Sequence, residues 1–290
     1  MKCAILGTGK IGIDLYYKLK KNERNQISII NNNSKSDGAK YCKARKFDYF
    51  SGGIKALLKK GDYEIVFDTT NAKSNIFHFQ KLIKKEIVLV NLTPSGVGDF
   101  YIPYIDESKK IKSNSFNLIT CGGQSSIPII YEISKKLKSI RYIEIVSAIS
   151  SASAGIATRA NIDEYLNITS KAVIKYSKIK DVKVILNINP GSPPVNMSNS
   201  IYIEFKKKIT NAEMTKISKI LNLVNKKMKR YAKGYKAEFL GKINNKCVKI
   251  TLSVVGNGDY LPKYSGNLDI ITNMATYITD SVRQQKWKKF

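Results

Sequence analysis

The stretch Cys-Ala-Ile-Leu-Gly-Thr-Gly-Lys-Ile-Gly (CAILGTGKIG, residues 3–12) decides the fold. Cys3 to Gly7 is a short apolar run and reads as a strand. Ile11 to Lys20 places Ile11, Leu15 and Leu19 on one helical face. Between them, Gly7-Thr8-Gly9-Lys10-Ile11-Gly12 is a GxGxxG loop in the strand-to-helix setting that the motif requires. The first glycine permits the tight turn, the second lets a pyrophosphate approach the backbone, and the third lets helix and strand pack closely. The helix N-terminus then offers free N–H groups to phosphate oxygens. An ordinary strand-to-helix turn is the competing reading of so short a pattern. At this position the dinucleotide reading is preferred.

Outward from the loop, strand and helix alternate. Ile27 to Ile30, Glu64 to Thr70, Glu86 to Leu92 and Asn117 to Cys121 read as further strands. Asn71 to Lys84 reads as a helix with Ile76, Phe79 and Leu82 along it. Near-continuous apolar strands alternating with helices predict an α/β fold, with a Rossmann-like parallel sheet covered on both faces. The second half is patterned differently. Tyr142 to Ser150, Lys183 to Asn189, Ser200 to Phe205, Tyr235 to Lys242 and Lys246 to Val255 read as strands, several of them long and alternating. They predict a second α/β domain with a mixed or antiparallel sheet. Helices are expected over 161–177, over 211–228, where Thr210 and Glu213 have capping-box spacing, and over 267–285. The boundary falls near Cys121.

Composition narrows the classes. Lys and Arg exceed Asp and Glu to give a net charge of +28. The lysines are spread along the chain with no tail or block, so they read as a basic surface coat, and no nucleic-acid partner is expected. A positive field suits small phosphate-rich ligands. No apolar run is long enough to span a membrane. Four cysteines (Cys3, Cys42, Cys121, Cys247) form no CxxC pair, so neither a disulfide framework nor a metal site is expected, and a cytoplasmic location is the default.

Cys121 is the candidate nucleophile. In Thr120-Cys121-Gly122-Gly123-Gln124-Ser125-Ser126-Ile127-Pro128 a strand is expected to end at Cys121 and the glycines to turn the chain. Ser125 or Ser126 would then cap a helix whose first turn tolerates Pro128. A thiol before a helix N-terminus gains thiolate character, and the helix's free N–H groups suit an oxyanion. A buried structural cysteine is the alternative, and spacing alone leaves both open. Cys3, Cys42 and Cys247 read as structural. The single histidine, His78, stands between Phe77 and Phe79 and reads as ordinary packing, so no Cys–His pair is expected. At the end of the second strand, where a carboxylate would bind a ribose hydroxyl and repel a 2′-phosphate, Asn31-Asn32-Asn33-Ser34-Lys35 stands instead.

AILGTGKIG (4–12), SDG (36–38), IVFDTT (65–70), NLTPSGVG (91–98), ITCGGQSSIP (119–128), EIVSAISSASAG (144–155), TRANIDEY (158–165) and YLPKYSGNLDI (260–270) occur in this order. Together they resemble the acetylating acetaldehyde dehydrogenases of aromatic-degradation pathways over nearly the whole chain. The resemblance implies CoA-acylating oxidation of acetaldehyde or another short aldehyde with NAD, through a thioester on Cys121. It implies an NAD site made by Gly7, Thr8, Gly9, Lys10, Ile11 and Gly12, completed by Ser153, Ala154, Gly155, Ile156, Ala157, Thr158, Arg159, Ala160, Asn161 and Asn267. It also implies a dinucleotide-binding domain of 1–120 with a returning helix at 268–290, a catalytic and dimerisation domain of 121–267, a homodimer, and a 4-hydroxy-2-oxovalerate aldolase partner that delivers acetaldehyde through a channel.

Two departures stand out. Gly155-Ile156-Ala157 replaces a Gly-Pro-Gly type of turn, and Asn199 stands where the family tends to carry Asp. Asn199 reads either as a substitute for a thiol-activating carboxylate or as a loop residue before a strand. The rival readings are a phosphorylating semialdehyde dehydrogenase, which would pair a histidine with its cysteine, and a non-catalytic NAD-binding partner protein.

Overall fold

The computed structural model describes residues 1–107 and 113–284. The chain divides into two compact units. One comprises residues 1–119, 259–261 and the chain from Ile271 onward; the other comprises 120–258 and 262–270.

The first unit runs β1 (Lys2–Leu6), α1 (Lys10–Lys20), β2 (Gln26–Asn31), α2 (Asp37–Ala44), β3 (Tyr49–Ser51), α3 (Gly53–Lys60), β4 (Ile65–Asp68), α4 (Ala72–Leu82), β5 (Val88–Asn91), β6 (Asp99–Phe100), α5 (Pro103–Asp106) and β7 (Ser115–Asn117). The strands form one parallel seven-stranded sheet in the order β3-β2-β1-β4-β5-β7-β6. The order reverses beside β1, so the glycine loop lies at the switch point where such sheets bind ligands. Ala4, Leu6, Ile30, Val66 and Leu89 of the sheet pack with Ile54, Leu57 and Leu82 of α3 and α4. Asp14 and Lys18 of α1 form a buried ion pair at 2.9 Å, and both bond the Thr272 hydroxyl.

The second unit runs α6 (Cys121–Lys136), β8 (Ile140–Ser150), α7 (Ile156–Ala160), α8 (Ile162–Ser177), β9 (Asp181–Asn189), β10 (Met197–Phe205), α9 (Asn211–Met228), β11 (Gly234–Asn244) and β12 (Cys247–Val255). Its sheet has the order β11-β12-β10-β8-β9. All neighbours are antiparallel except β8 and β9, as the mixed-sheet reading expects. One face carries the period-two buried stripes Ile143-Ile145-Ser147-Ile149, Met197-Asn199-Ile201-Ile203 and Val248-Ile250-Leu252-Val254. The expected capping box opens α9, with Thr210 and Glu213 bonding reciprocally. A last helix, α10 (Gly266–Gln284), starts in this unit and continues into the first. Gln285, the last residue expected in it, lies outside the described residues.

Two expectations need correction. The strand expected at Asn117–Cys121 is β7, Ser115–Asn117, and Cys121 already belongs to a helix. The helix expected at 161–177 is α8, Ile162–Ser177, and the short α7 precedes it. The strand expected from Ser200 begins at Met197, so Asn199 lies inside β10 rather than in a loop.

Candidate active site

The helix holding Cys121 starts abruptly. After β7, the Asn117 side-chain oxygen accepts the Ile119 N–H at 2.6 Å, and Ile119 adopts φ +62°. A β-branched residue in the left-handed region is strained by roughly 1–3 kcal/mol. The strain turns the chain so that Thr120 becomes the N-cap of α6, its hydroxyl accepting the Gly123 N–H at 3.0 Å. Cys121 is therefore the first helical residue. Ser125 and Ser126 lie inside the helix rather than capping it, and Pro128 lies beyond the first turn. The cap is itself anchored, because Thr120 Oγ1 is 2.7 Å from Thr169 Oγ1 of α8.

Cys121 Sγ lies 3.8 Å from the Tyr165 hydroxyl. The Gly122 N–H donates to the same hydroxyl at 3.1 Å, and that hydroxyl lies 3.4 Å from Ser147 Oγ of β8. A Cβ at position 122 would run into both the phenol and Ser147, so only glycine fits. The Cys121 residue keeps partial exposure, yet its thiol is packed closely enough that desolvation pushes its pKa above the ordinary value of 9.0; the bond to Tyr165 and the backbone around Gly122 pull the other way. Burial holds Tyr165 well above its own ordinary value, so its phenol is a neutral donor. Burial therefore works against the thiolate character expected of a cysteine at a helix start. The free helix N–H groups expected to face an oxyanion are also largely committed, Gly122's to Tyr165, Gly123's to Thr120 Oγ1 and Gln124's to the Thr120 carbonyl.

Asn199 is buried next to this turn. Its amide nitrogen donates to Ser125 Oγ (2.9 Å), Ser126 Oγ (2.7 Å) and the Gly122 carbonyl (3.4 Å). Ser125 Oγ in turn donates to the Cys121 and Gly122 carbonyls, so it needs a donor from Asn199, which fixes the amide orientation. Asn199 pairs in register with Ser147 across β10 and β8. Asn199→Ala is expected to cost about 1–3 kcal/mol, because buried hydroxyls lose their partner. Denaturant unfolding checks this; stability within error of the parent would show that the clamp is unimportant.

The glycine loop has the geometry its spacing predicts. Gly7 has φ +111°. A Cβ at Gly12 would strike the Gly7 carbonyl oxygen, while one at Gly9 would meet nothing within 4 Å. Thr69 Oγ1 braces the turn through the Leu6 and Gly7 carbonyls, at 2.9 and 3.3 Å. Asn31 Nδ2 ties Thr8 Oγ1 (2.7 Å) to Ser36 Oγ (2.8 Å), the N-cap of α2. Lys10 is exposed, and the first turn of α1 holds no carboxylate. This cradle, open at Gly9 and faced by a helix N-terminus, fits a pyrophosphate.

The other predicted nucleotide residues lie in the second unit. Ser153 Oγ donates to the Ser150 carbonyl at 2.8 Å, and Ala154 is buried. Gly155 caps α7, which holds Ala157, Thr158, Arg159 and Ala160; the side chain of Ile156 lies outside the described residues. Arg159 bonds Ser151 Oγ at 2.8 Å, and the buried Asn161 amide donates to the Ala157 carbonyl. Asn267, in the first turn of α10, is 2% exposed, and its side-chain oxygen has no partner among the described residues.

His78 is not packing filler. Its Nδ1 lies 2.7 Å from Asp68 Oδ2, which also accepts from Asn75 at 3.0 Å, while Phe77 is half exposed. Tyr165, Ser147 and the strand setting of Asn199 were missed by sequence reasoning. The signal was present: Ser147 and Asn199 are polar interruptions of otherwise apolar period-two stripes, and Tyr165 lies on the buried face of α8.

A parallel-sheet unit with a glycine loop and a mixed-sheet unit with a helix-start cysteine define a two-unit α/β protein. The chain is similar in structure to aspartate semialdehyde dehydrogenase II from Vibrio cholerae complexed with ASA, with a TM-score of 0.68 at 11% identity over 99% of both chains. A second structure of that enzyme gives 0.64 at 10% identity, covering 96% of this chain and 98% of that one. At such identities only the fold is shared. By sequence, the chain is 38% identical to acetaldehyde dehydrogenase of Geobacillus stearothermophilus over 99% of its length and 97% of the relative's. It is 36% identical to that of Pectobacterium atrosepticum, over 100% and 98%. Residues 121–262 match the family model described as prokaryotic acetaldehyde dehydrogenase, dimerisation. The chain belongs to the acetaldehyde dehydrogenase family. No helix among the described residues is long and apolar enough to cross a membrane.

Proposed function

We propose that the protein oxidises acetaldehyde, or another short aldehyde, to its CoA thioester with NAD as oxidant, by way of a thioester on Cys121. The observation that carries this reading is the placement of Cys121 on the first turn of α6, its sulfur beside a neutral phenol and its backbone fixed by the Thr120 cap. Once the Cys121 thiol has lost its proton to solvent, the thiolate forms a C–S bond to the aldehyde carbon, and the carbonyl electron pair moves to oxygen. Bound NAD would supply the hydride acceptor; as the oxygen's electrons return and the hydride leaves this carbon, a thioester remains on Cys121. The CoA thiolate then attacks the thioester carbonyl and expels the Cys121 thiolate. Acyl-transfer potential is conserved, so phosphate is not needed. Asn199 cannot accept a proton, and its amide is spent on α6. Turnover persists without it as a base, slowed by roughly 10²–10⁴ relative to a base-assisted reaction.

The phosphates of the nucleotide are held by Gly7 to Gly12. Residues 1–120 with 268–290 serve as the dinucleotide-binding domain, and 121–267 as the catalytic and dimerisation domain of a cytoplasmic homodimer. A 4-hydroxy-2-oxovalerate aldolase is its channelling partner. The phosphorylating alternative is disfavoured because the single histidine is bonded to Asp68. Steady-state assays with acetaldehyde and NAD, supplied with either CoA or inorganic phosphate, test the reading. CoA-dependent turnover is expected, and turnover with phosphate alone would replace the proposal with the rival reaction.

Cofactor choice follows from the end of β2. Asn31 turns its amide nitrogen inward, Asn32 and Asn33 are neutral, and Lys35 is exposed, so nothing in this segment repels a 2′-phosphate. The preference for NAD over NADP in kcat/KM is expected to stay below roughly a hundredfold, about 2.7 kcal/mol. A larger measured preference would locate discrimination elsewhere.

A further inference from the structure

We propose that Tyr165 is the hydrogen-bond donor to the reacting sulfur, its one phenolic hydrogen held towards Ser147 while Cys121 is a thiol and released to Sγ when Cys121 ionises. This rests on the reading of Cys121 as the nucleophile. A phenol has one hydrogen and can accept bonds on its oxygen. The Gly122 N–H occupies an acceptor position at 3.1 Å. The hydrogen then has two acceptors, Ser147 Oγ at 3.4 Å and Sγ at 3.8 Å. Both contacts are long for neutral partners. A negative sulfur changes the balance, because charge-assisted hydrogen bonds are shorter and stronger than neutral ones.

The surroundings are built for this exchange. Gly122 leaves the space that the phenol fills. Thr169 Oγ1 donates to the Tyr165 carbonyl at 2.7 Å and meets the Thr120 hydroxyl, which ties the ring's own backbone to the cap beside Cys121. The groups facing the pair are the Gly122 N–H of α6, Ser147 of β8 and, on the Gly122 carbonyl, Asn199 of β10, all neutral. The charge that acts on Tyr165 is that of Cys121 itself, which raises the phenol's pKa further. Burial keeps the phenol protonated, so it remains a donor while the thiol titrates.

Two variants move the thiol in opposite directions. Tyr165→Phe removes the donor and raises the Cys121 pKa. Ser147→Ala removes the competing acceptor, leaves the hydrogen only Sγ, and lowers it. The measurement is the iodoacetamide alkylation rate of full-length protein against pH, followed by mass spectrometry of the Cys121 peptide so that Cys3, Cys42 and Cys247 do not contribute. A shift of roughly one to two pH units upward is expected for Tyr165→Phe, and a smaller downward shift for Ser147→Ala. Melting temperature and NAD affinity, measured in parallel, separate a packing defect from the effect on sulfur. Equal profiles, or shifts in the same direction, overturn the proposal. If Tyr165→Phe does not fold, the Ser147→Ala profile decides alone, and an unchanged or upward midpoint overturns it. Because alkylation reads ionisation without turnover, its outcome stands apart from whether Cys121 carries the acyl group.

Discussion

Replacing Cys121 with serine is expected to abolish acyl-enzyme formation and to reduce CoA-dependent turnover by at least roughly 10³-fold, the scale on which removal of a covalent nucleophile acts. NAD affinity and melting temperature should stay near those of the parent. The reasoning starts from what surrounds the side chain. A hydroxyl is far less acidic than a thiol and needs a base to become a nucleophile. Asn199 offers none, Tyr165 is a neutral donor, and His78 is bonded to Asp68. The smaller oxygen can still bond the Tyr165 hydroxyl, so the turn at Thr120 has no cause to rearrange. Turnover within a few-fold of the parent would show that another group carries the acyl chain.

The second large effect concerns the glycine loop, where two neighbouring substitutions should fail for different reasons. In Gly12→Ala the new methyl meets the Gly7 carbonyl oxygen and Thr69 Oγ1 at 2.8 Å. Neither can retreat easily, because Gly7 is backbone and Thr69 is bonded to the Leu6 and Gly7 carbonyls. Overpacking of this kind costs about 1–3 kcal/mol, and nucleotide binding is lost with it. In Gly9→Ala the new methyl meets nothing within 4 Å, so the protein should be as stable as the parent. It still fills the approach expected for the pyrophosphate, and NAD affinity should fall by tenfold or more, about 1.4 kcal/mol. Nucleotide titration and thermal melts on both variants check the pair. A stable Gly9→Ala protein with unaltered NAD affinity would move the phosphates away from this loop.

Features set by local stereochemistry were legible in the sequence. GTGKIG could be read because each glycine answers a steric demand within a few residues of itself, and Thr210 and Glu213 because a capping box is confined to one turn. The start of the Cys121 helix was not. NLITC has the apolar character of a strand, and the chain leaves the sheet early because Ile119 adopts a left-handed conformation that its type disfavours and that no local pattern announces. The setting of the thiol was hidden for another reason. Tyr165 and Ser147 lie far from Cys121 in the chain, and only the packing of α8 and β8 against α6 joins them. Their polarity within apolar stripes marked them as unusual without showing what they face. His78 misled because its neighbours are aromatic, whereas its partner Asp68 stands ten residues earlier, at the end of β4.

The central claim is a covalent acyl group on Cys121. It is tested most directly by mixing the protein with acetaldehyde and NAD without CoA, quenching in acid, and mapping the modified peptide by mass spectrometry, with and without a chase of CoA. An acetyl adduct is expected on the peptide containing Cys121, formed in step with one equivalent of reduced nucleotide and cleared by CoA as acetyl-CoA. Reduced nucleotide formed without that adduct, or an adduct that phosphate discharges and CoA does not, would contradict it.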